Sequence, residues 1–362
     1  MDKHMQEKVT KKTTSQDVNR ILEVDFLKGV LILLMIAFHL AWIGDHYPFA
    51  KQVVYTFHMP AFLVISGFLM NVHRSLRTFM RSMCRLAVPY VVMESAYIVM
   101  AATLPIREHI SDLSLRTFCE YLILHPLGPY WYLHTLIICG VVYFIAIRIT
   151  CLNTLSRLIL IGLAYYGLSS VCGIIAFVNA MYFLAGAVVR KSSIPFKRIF
   201  QGSSMAFIAA VTIIAQSSEL QSSATSGILL TFLINSTFIF AFQLLNVKRC
   251  STLLWLGQNT LPILLFSPIF TYACKWLQPY LLTEPTGILF LSCSLVITAS
   301  GSLLLGRVLD LLMNFLPSSV KRLLPQLYRS RHDISAPTST LSSGGRAWKE
   351  ACLQSFSRCP ME

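Results

Sequence analysis

The chain has 362 residues, 55% of them hydrophobic and only 13% charged, with a mean hydropathy of +0.63. A soluble domain carries about 25% charged residues, so these values exclude a water-facing globular fold and leave an integral membrane protein. The net charge of +14 would point to nucleic acid in a soluble chain, but here it is topological, because Lys and Arg accumulate on the cytoplasmic loops of membrane proteins.

Residues 1–20 are polar and read as a cytoplasmic N-terminal segment. The first apolar run, Leu22–Trp42, is 21 residues long, with Glu23, Asp25 and Lys28 confined to its first third. About 20 apolar residues cross the ~30 Å hydrocarbon core. The run is longer than the roughly 7–15-residue core of a signal peptide, so it is expected to stay in the mature protein. Apolar runs bounded by charges or by Gly/Pro clusters place ten spans near 22–43, 52–71, 86–104, 130–147, 156–172, 174–190, 203–216, 226–246, 252–274 and 287–311. Only Cys172–Gly173 divides the fifth from the sixth. Between the third and fourth, residues 105–129 form the longest outer loop, with an amphipathic stretch near Leu113–Leu124. After the last span, residues 317–362 are basic and Ser-rich, a composition that cannot bury a core, and a disordered cytoplasmic tail is expected.

The expected fold is therefore all-α: a polytopic helical bundle of about ten transmembrane helices over residues 21–316, with both termini cytoplasmic. Charge tests the orientation independently. With the N-terminus inside and the spans alternating, and with basic residues at inner span ends counted with their loops, the inner side takes 26 of the 30 Lys and Arg. Only Lys51, Arg107, Arg116 and Lys275 fall outside. A missed span in the middle would invert every later loop and destroy this asymmetry.

Ionisable side chains within a span are costly and are functional candidates by default. Lys28 and His39 stand 11 positions apart on the first span, close to three whole turns, so they share a face and lie roughly 16 Å apart along the axis. Lys28 then sits near the inner leaflet, where snorkelling to headgroups is the simpler role, and His39 toward the outer third. His58 enters from the outside on the second span, at a depth similar to His39. Two imidazoles beside a polar cavity suit general-base work; a lone one would merely bond a neighbouring helix. Arg74, Arg77, Arg81 and Arg85 precede the third span and serve either as inner anchors or as a phosphate clamp. Glu94, nine residues further on, is either neutral or paired, with Lys28 as one partner. Trp131 and Tyr132 open the fourth span, as an interfacial belt or a platform for sugar stacking. The ten cysteines form no CxxC pair and no ligand-like cluster, so neither a disulfide framework nor a metal site is expected.

Several stretches resemble the acyltransferase-3 membrane O-acyltransferases. Glu23 to His39 (EVDFLKGVLILLMIAFH) is similar to that family's opening helix, which carries a basic residue, ten residues, then His, with an Asp shortly before. Phe57 to Leu69 (FHMPAFLVISGFL) resembles the second helix of the fucose-O-acetylase-like branch, and Arg85 to Tyr90 (RLAVPY) the start of the third. Trp131 to Leu133, Met181 to Gly186 (MYFLAG) and the run LGQNTLPIL from Leu256 resemble later landmarks. The chain departs from the pattern at Lys28, where Arg is usual, at Met83, which breaks an Arg-x-Arg element, and at Ser267-Pro268, where His-Pro is frequent.

The resemblance implies transfer of an acetyl (or other acyl) group from cytoplasmic acyl-CoA to a hydroxyl of a surface or capsular polysaccharide or its lipid-linked precursor, at a bacterial inner membrane. His39 is then the essential histidine, with His58, Asp25 and Glu94 as further catalytic candidates. Lys28, Arg81 and Arg85 face the donor, acetyl-CoA, and Trp131, Tyr132 and Ser267 face the carbohydrate acceptor. His39 serves either as general base or as a covalent acyl carrier. The competing classes are an exporter of polysaccharide precursors, for which the chain lacks an inverted repeat, and a non-catalytic membrane scaffold.

Overall fold

The computed structural model describes residues 21–315 except 73, 105–107, 193–195, 217–219 and 246. The N-terminal segment and the basic tail expected from the sequence lie outside the described residues. Among the described residues every regular element is a helix and none is a strand. In chain order they are α1 (Leu22–His39), α2 (Ala41–His46), α3 (Pro48–Leu69), α4 (Leu76–Thr103) and α5 (Leu115–Ile123). A 3-10 turn, Gly128–Tyr130, leads into α6 (Trp131–Ile147), α7 (Thr154–Ser170), α8 (Phe177–Lys191) and α9 (Phe196–Ile199). The remaining α-helices are α10 (Ser204–Gln216), α11 (Thr225–Leu244), α12 (Ser251–Gln258), α13 (Thr260–Ala273), α14 (Gln278–Leu281) and α15 (Ile288–Phe315).

Among the described residues, six helical stretches are long and apolar enough to cross a membrane: Pro48–Leu69, Leu76–Thr103, Gly128–Ile147, Thr225–Leu244, Thr260–Leu281 and Ile288–Leu311. The other four expected spans are also helices. Of these, α1 has 18 residues and carries Glu23, Asp25 and Lys28, while α7, α8 and α10 run for 17, 15 and 13 residues.

The element boundaries correct three expectations. First, α4 begins at Leu76, ten residues before the apolar run. Ser75 caps it by accepting from the Thr78 N–H at 3.4 Å, which satisfies an amide that has no partner inside the helix. Arg77, Arg81 and Arg85 dilute the hydropathy there, yet their four-residue spacing aligns them along one face of the helix. Second, the ninth run is broken at Asn259, whose side chain turns back to donate to the Trp255 carbonyl at 2.7 Å. Third, the first span, expected to run to residue 43, stops as a helix at His39. The backbone becomes extended at Leu40 (ψ 115°), forms α2, and restarts at Pro48, a residue preorganised for the first position of a helix.

The central element is α1, which packs against α3, α11, α12, α13 and α15. Leu27, Leu31, Ile32, Met35 and Ile36 are each no more than 1% exposed. Two crossings bring backbones into direct contact. A Cβ on Gly257 would overlap the Asp25 carbonyl, and one on Gly29 the Leu253 carbonyl, which locks α12 onto α1. Gly67 and Gly186 fit against the carbonyls of Phe183 and Val64 in the same way and join α3 to α8. In hydrocarbon the hydrophobic effect does not drive helices together, so close packing through small residues takes its place.

Candidate active site on the first and third helices

Asp25 and Lys28 lie one turn apart on α1, with Lys28 Nζ 2.9 Å from Asp25 Oδ1 and side-chain exposures of 17% and 7% for Lys28 and Asp25. Burial of this kind demands pairing, because a single ion left behind in such a site costs several kcal/mol. The central position of α1 turns Lys28 into the bundle, in place of the snorkelling side chain that a helix end would otherwise favour. The Lys28–Glu94 pair considered from the sequence is not formed: Lys28 takes the nearer carboxylate of its own helix.

At the far end of α1, His39 Nδ1 donates to the Met35 carbonyl at 2.7 Å. On α3, His58 Nδ1 donates to the Val54 carbonyl at 2.8 Å. A carbonyl can only accept, so each Nδ1 carries a proton and each Nε2 presents a lone pair in the neutral ring. His58 is 2% exposed, and its Nε2 has no hydrogen-bond partner. His39, at the last turn of α1, is exposed.

Tyr55 stands between the two imidazoles. Its ring centroid is 6.0 Å from that of His39 and 5.2 Å from that of His58, and its hydroxyl donates to the Phe38 carbonyl at 3.2 Å. Tyr55 also lines a cavity of about 740 Å³ between the α2–α3 corner and residues 220–223. Lys51 lies over the Tyr55 ring at 5.7 Å. Sequence reasoning missed both Tyr55 and Lys51. A signal was present, since positions 51, 55 and 58 follow four- and three-residue helical spacing and therefore share a face.

The other polar candidates form a second cluster around residues 122–130. Glu94 is fully buried; its Oε1 accepts from the Leu127 N–H at 2.7 Å, and its Oε2 has no partner. Tyr90 donates to the Leu122 carbonyl at 2.6 Å and His134 Nε2 to the Ile123 carbonyl at 2.8 Å. Gly128, at φ +54°, accepts no side chain because the Tyr97 ring lies against it, and its N–H donates to Glu108 at 2.8 Å. Tyr130 then reaches α13 by donating to the Leu265 carbonyl at 2.7 Å. Side chains of α4 and α6 thus hold the segment that leads into α6 as a strap.

Trp131 is half-buried against the core. Tyr132 is 8% exposed, packs its ring near Phe62 and shares a 2.5 Å hydrogen bond with Ser66 of α3, so it faces protein and is not part of a headgroup belt. Ser267 is buried, and its hydroxyl points to the Leu264 carbonyl at 3.5 Å. Pro268 has no N–H for that carbonyl, so the Ser267 hydroxyl answers a vacancy within its own helix. Near the start of α4, Arg81 is exposed and Arg85 half-buried, and Arg148 adds to this basic end by donating to the Arg74 carbonyl at 2.8 Å. Among the described residues, no group of three or more His, Cys, Asp and Glu could hold a metal ion.

The fold and site together define a polytopic membrane protein whose first and third helices bring two imidazoles against one tyrosine. A family model described as an acyltransferase domain, that of the acyltransferase-3 family, matches residues 21–307. The chain belongs to this family and is a membrane acyltransferase. No curated protein and no solved structure matches it.

Proposed function

We propose that this acyltransferase moves an acetyl (or other acyl) group from cytoplasmic acyl-CoA to a hydroxyl of a surface or capsular polysaccharide or its lipid-linked precursor. We place it in a bacterial inner membrane and in the fucose-O-acetylase-like branch of its family. The observation that carries this reading is the His39–Tyr55–His58 cluster between α1 and α3, each imidazole held at Nδ1 by its own helix and His39 sharing α1 with the Lys28–Asp25 pair. A hydroxyl is a poor nucleophile until its proton is removed as it attacks. In direct transfer, His39 Nε2 takes that proton, the acceptor oxygen bonds to the thioester carbonyl carbon, and the C–S bond breaks. The departing CoA thiolate then recovers a proton from the imidazolium. A covalent acyl-histidine route uses the same nitrogen as nucleophile.

The direction of transfer rests on topology. In the ten-span arrangement with both ends cytoplasmic, loops expected on one side should touch each other, and several do. On the outer side, Tyr47 donates to the Thr286 carbonyl, Gln52 approaches the Leu220 carbonyl, and Gly173 lies near His125. On the inner side, Arg148 donates to Arg74 and Lys191 to Thr154. The basic end of α4, with Arg81 and Arg85, then faces the cytoplasm, where guanidinium groups suit the nucleotide phosphates of CoA. Lys28 faces the donor from α1, with Asp25 holding it in place.

The test is single-turnover transfer from labelled acetyl-CoA by purified protein in lipid nanodiscs. We expect His39→Ala to lose at least 100-fold in acyl transfer while inserting normally, the scale of a lost general base. Undiminished transfer by that variant would end the proposal, and substrate flux without label transfer would identify a carrier. Arg85→Ala is expected to weaken acetyl-CoA binding by about ten-fold, a loss of roughly 1.4 kcal/mol, and unchanged affinity would return Arg85 to an anchoring role.

A further inference from the structure

A second cavity, lined by aliphatic side chains and two aromatic rings, runs along the other side of α1. Its volume is about 360 Å³, within the roughly 300–1,000 Å³ of small-molecule sites. Val30, Leu33, Leu34, Ala37 and Phe38 form its back wall, and their three- and four-residue spacing makes them one stripe of the helix. At 3.6 residues per turn this stripe lies opposite the one that carries Lys28 and His39. The middle of α1 is otherwise sealed: between Val24 and Phe38, only Lys28 and the slot residues Val30, Leu33, Leu34 and Phe38 keep accessible surface. Leu253 of α12 lies at the foot of the slot, Leu295 of α15 forms a side, and Ile43, Tyr47 and Ala50 of the α2–α3 corner roof it. The Tyr47 hydroxyl is engaged elsewhere, donating to the Thr286 carbonyl at 2.8 Å, a bond that ties the roof to the segment before α15. Asp45 and His46 of the same corner are exposed and mark the aqueous boundary.

We infer that this slot is a lipid site and that it takes one acyl chain of a glycerophospholipid, from the leaflet on the side of the α2–α3 corner. The inference does not depend on which group the enzyme transfers or to what. Apolar walls offer water no hydrogen-bonding partners, so water does not fill the slot. Left empty, the walls would forfeit their dispersion contacts, and in a bilayer the filler at hand is hydrocarbon. The roof closes the aqueous end, so a chain enters sideways from the membrane. Length selects the occupant. From Val30 to Phe38 the back wall runs roughly 12 Å along the helix axis, close to the roughly 15 Å of hydrocarbon in one leaflet. A straight acyl chain whose glycerol stays beside the corner therefore reaches the foot of the slot, whereas a long isoprenoid would leave most of its length outside. With the chain in place, the helix that carries His39 is packed from behind along its outer half.

The test uses the full chain in nanodiscs that contain a phosphatidylcholine with a diazirine in the middle of one acyl chain. After illumination, adducts are mapped by mass spectrometry on two peptides: residues 30–38 of α1, and the part of α7 around Leu163, which is 62% exposed and reports ordinary contact with surrounding lipid. Adducts are expected on both. Labelling of α7 with none on residues 30–38 would overturn the assignment. Leu34→Trp places an indole in the slot from a position that keeps accessible surface, and it should cut the α1 adducts about five-fold while leaving those on α7 unchanged; undiminished α1 labelling in a folded variant would also count against the site. Should that variant fail to fold, the parent chain decides alone, through a polyprenyl phosphate carrying the same diazirine at the same mole fraction. Weaker α1 labelling by the isoprenoid supports the acyl-chain site, and equal or stronger labelling overturns it. No step of this readout involves acyl transfer, so its result is separate from that of the acetyl-CoA assay.

Discussion

Two clusters of polar side chains sit in this bundle, and they send their hydrogen bonds to different places. Around the strap, Tyr90, Glu94 and His134 each bond a backbone group of residues 122–127. On α1 and α3, His39 and His58 turn Nδ1 to carbonyls of their own helices. A buried polar atom without a partner costs about 1–3 kcal/mol, and each cluster keeps one, His58 Nε2 in the first and Glu94 Oε2 in the second. What separates them is that the first makes no bond that ties one element to another through its imidazoles, whereas the second fastens α4 and α6 to the segment before α6. On the proposed function the first holds the reacting groups and the second positions the chain.

The sharpest way to break this distinction is to exchange the fates of two histidines. His39→Ala should lower acyl transfer by 10²- to 10⁴-fold with little change in melting temperature. His134→Ala removes a hydrogen bond to the Ile123 carbonyl and should do the reverse, with less than ten-fold loss of transfer and a lower melting temperature. Measuring both quantities on both variants decides the matter, and an equal catalytic loss in the two would erase the contrast.

The Asp25–Lys28 pair tests whether the inner part of α1 behaves as a sealed unit. Asp25→Ala leaves Lys28 without its carboxylate beside the Gly257 crossing and should destabilise the protein by about 3–5 kcal/mol. Replacing both residues by apolar ones of similar size should restore most of that stability while acetyl-CoA binding stays weak, because the proposed function assigns Lys28 to the donor. Recovery of binding together with stability would show that the pair is only structural.

Much of this arrangement was legible in the sequence because the membrane imposes a simple code. Apolar runs of span length mark helices, and the shared depth of His39 and His58 follows from alternation alone. What escaped depended on contacts that leave no periodic trace. Tyr55 and Lys51 lie in the first two turns of a long apolar helix, where they read as its polar end. Asn259 breaks a run that is apolar on both sides, and the start of α4 was hidden because its arginines lower hydropathy without interrupting the helix. From the sequence Glu94 is either neutral or paired, and the bond it makes is to a backbone amide 33 positions away, which no pattern of side chains announces.

Glu94 offers the smallest and most discriminating effect. Glu94→Ala removes the acceptor for the Leu127 N–H within a fully buried site and should cost about 1–3 kcal/mol, visible as earlier thermal unfolding. Glu94→Gln keeps an oxygen for Leu127 but removes the capacity to ionise, and it should cost less stability than Glu94→Ala because the bond to the Leu127 N–H survives. The two roles open to this carboxyl then diverge. A proton-transferring Glu94 would lose at least 100-fold in transfer as Gln, whereas a residue that only holds the strap would keep near-parental rates as Gln and lose activity as Ala in step with stability. The geometry favours the second outcome, because the one engaged oxygen of Glu94 faces the loop backbone, and Tyr130, three residues beyond Leu127, carries that restraint on to α13.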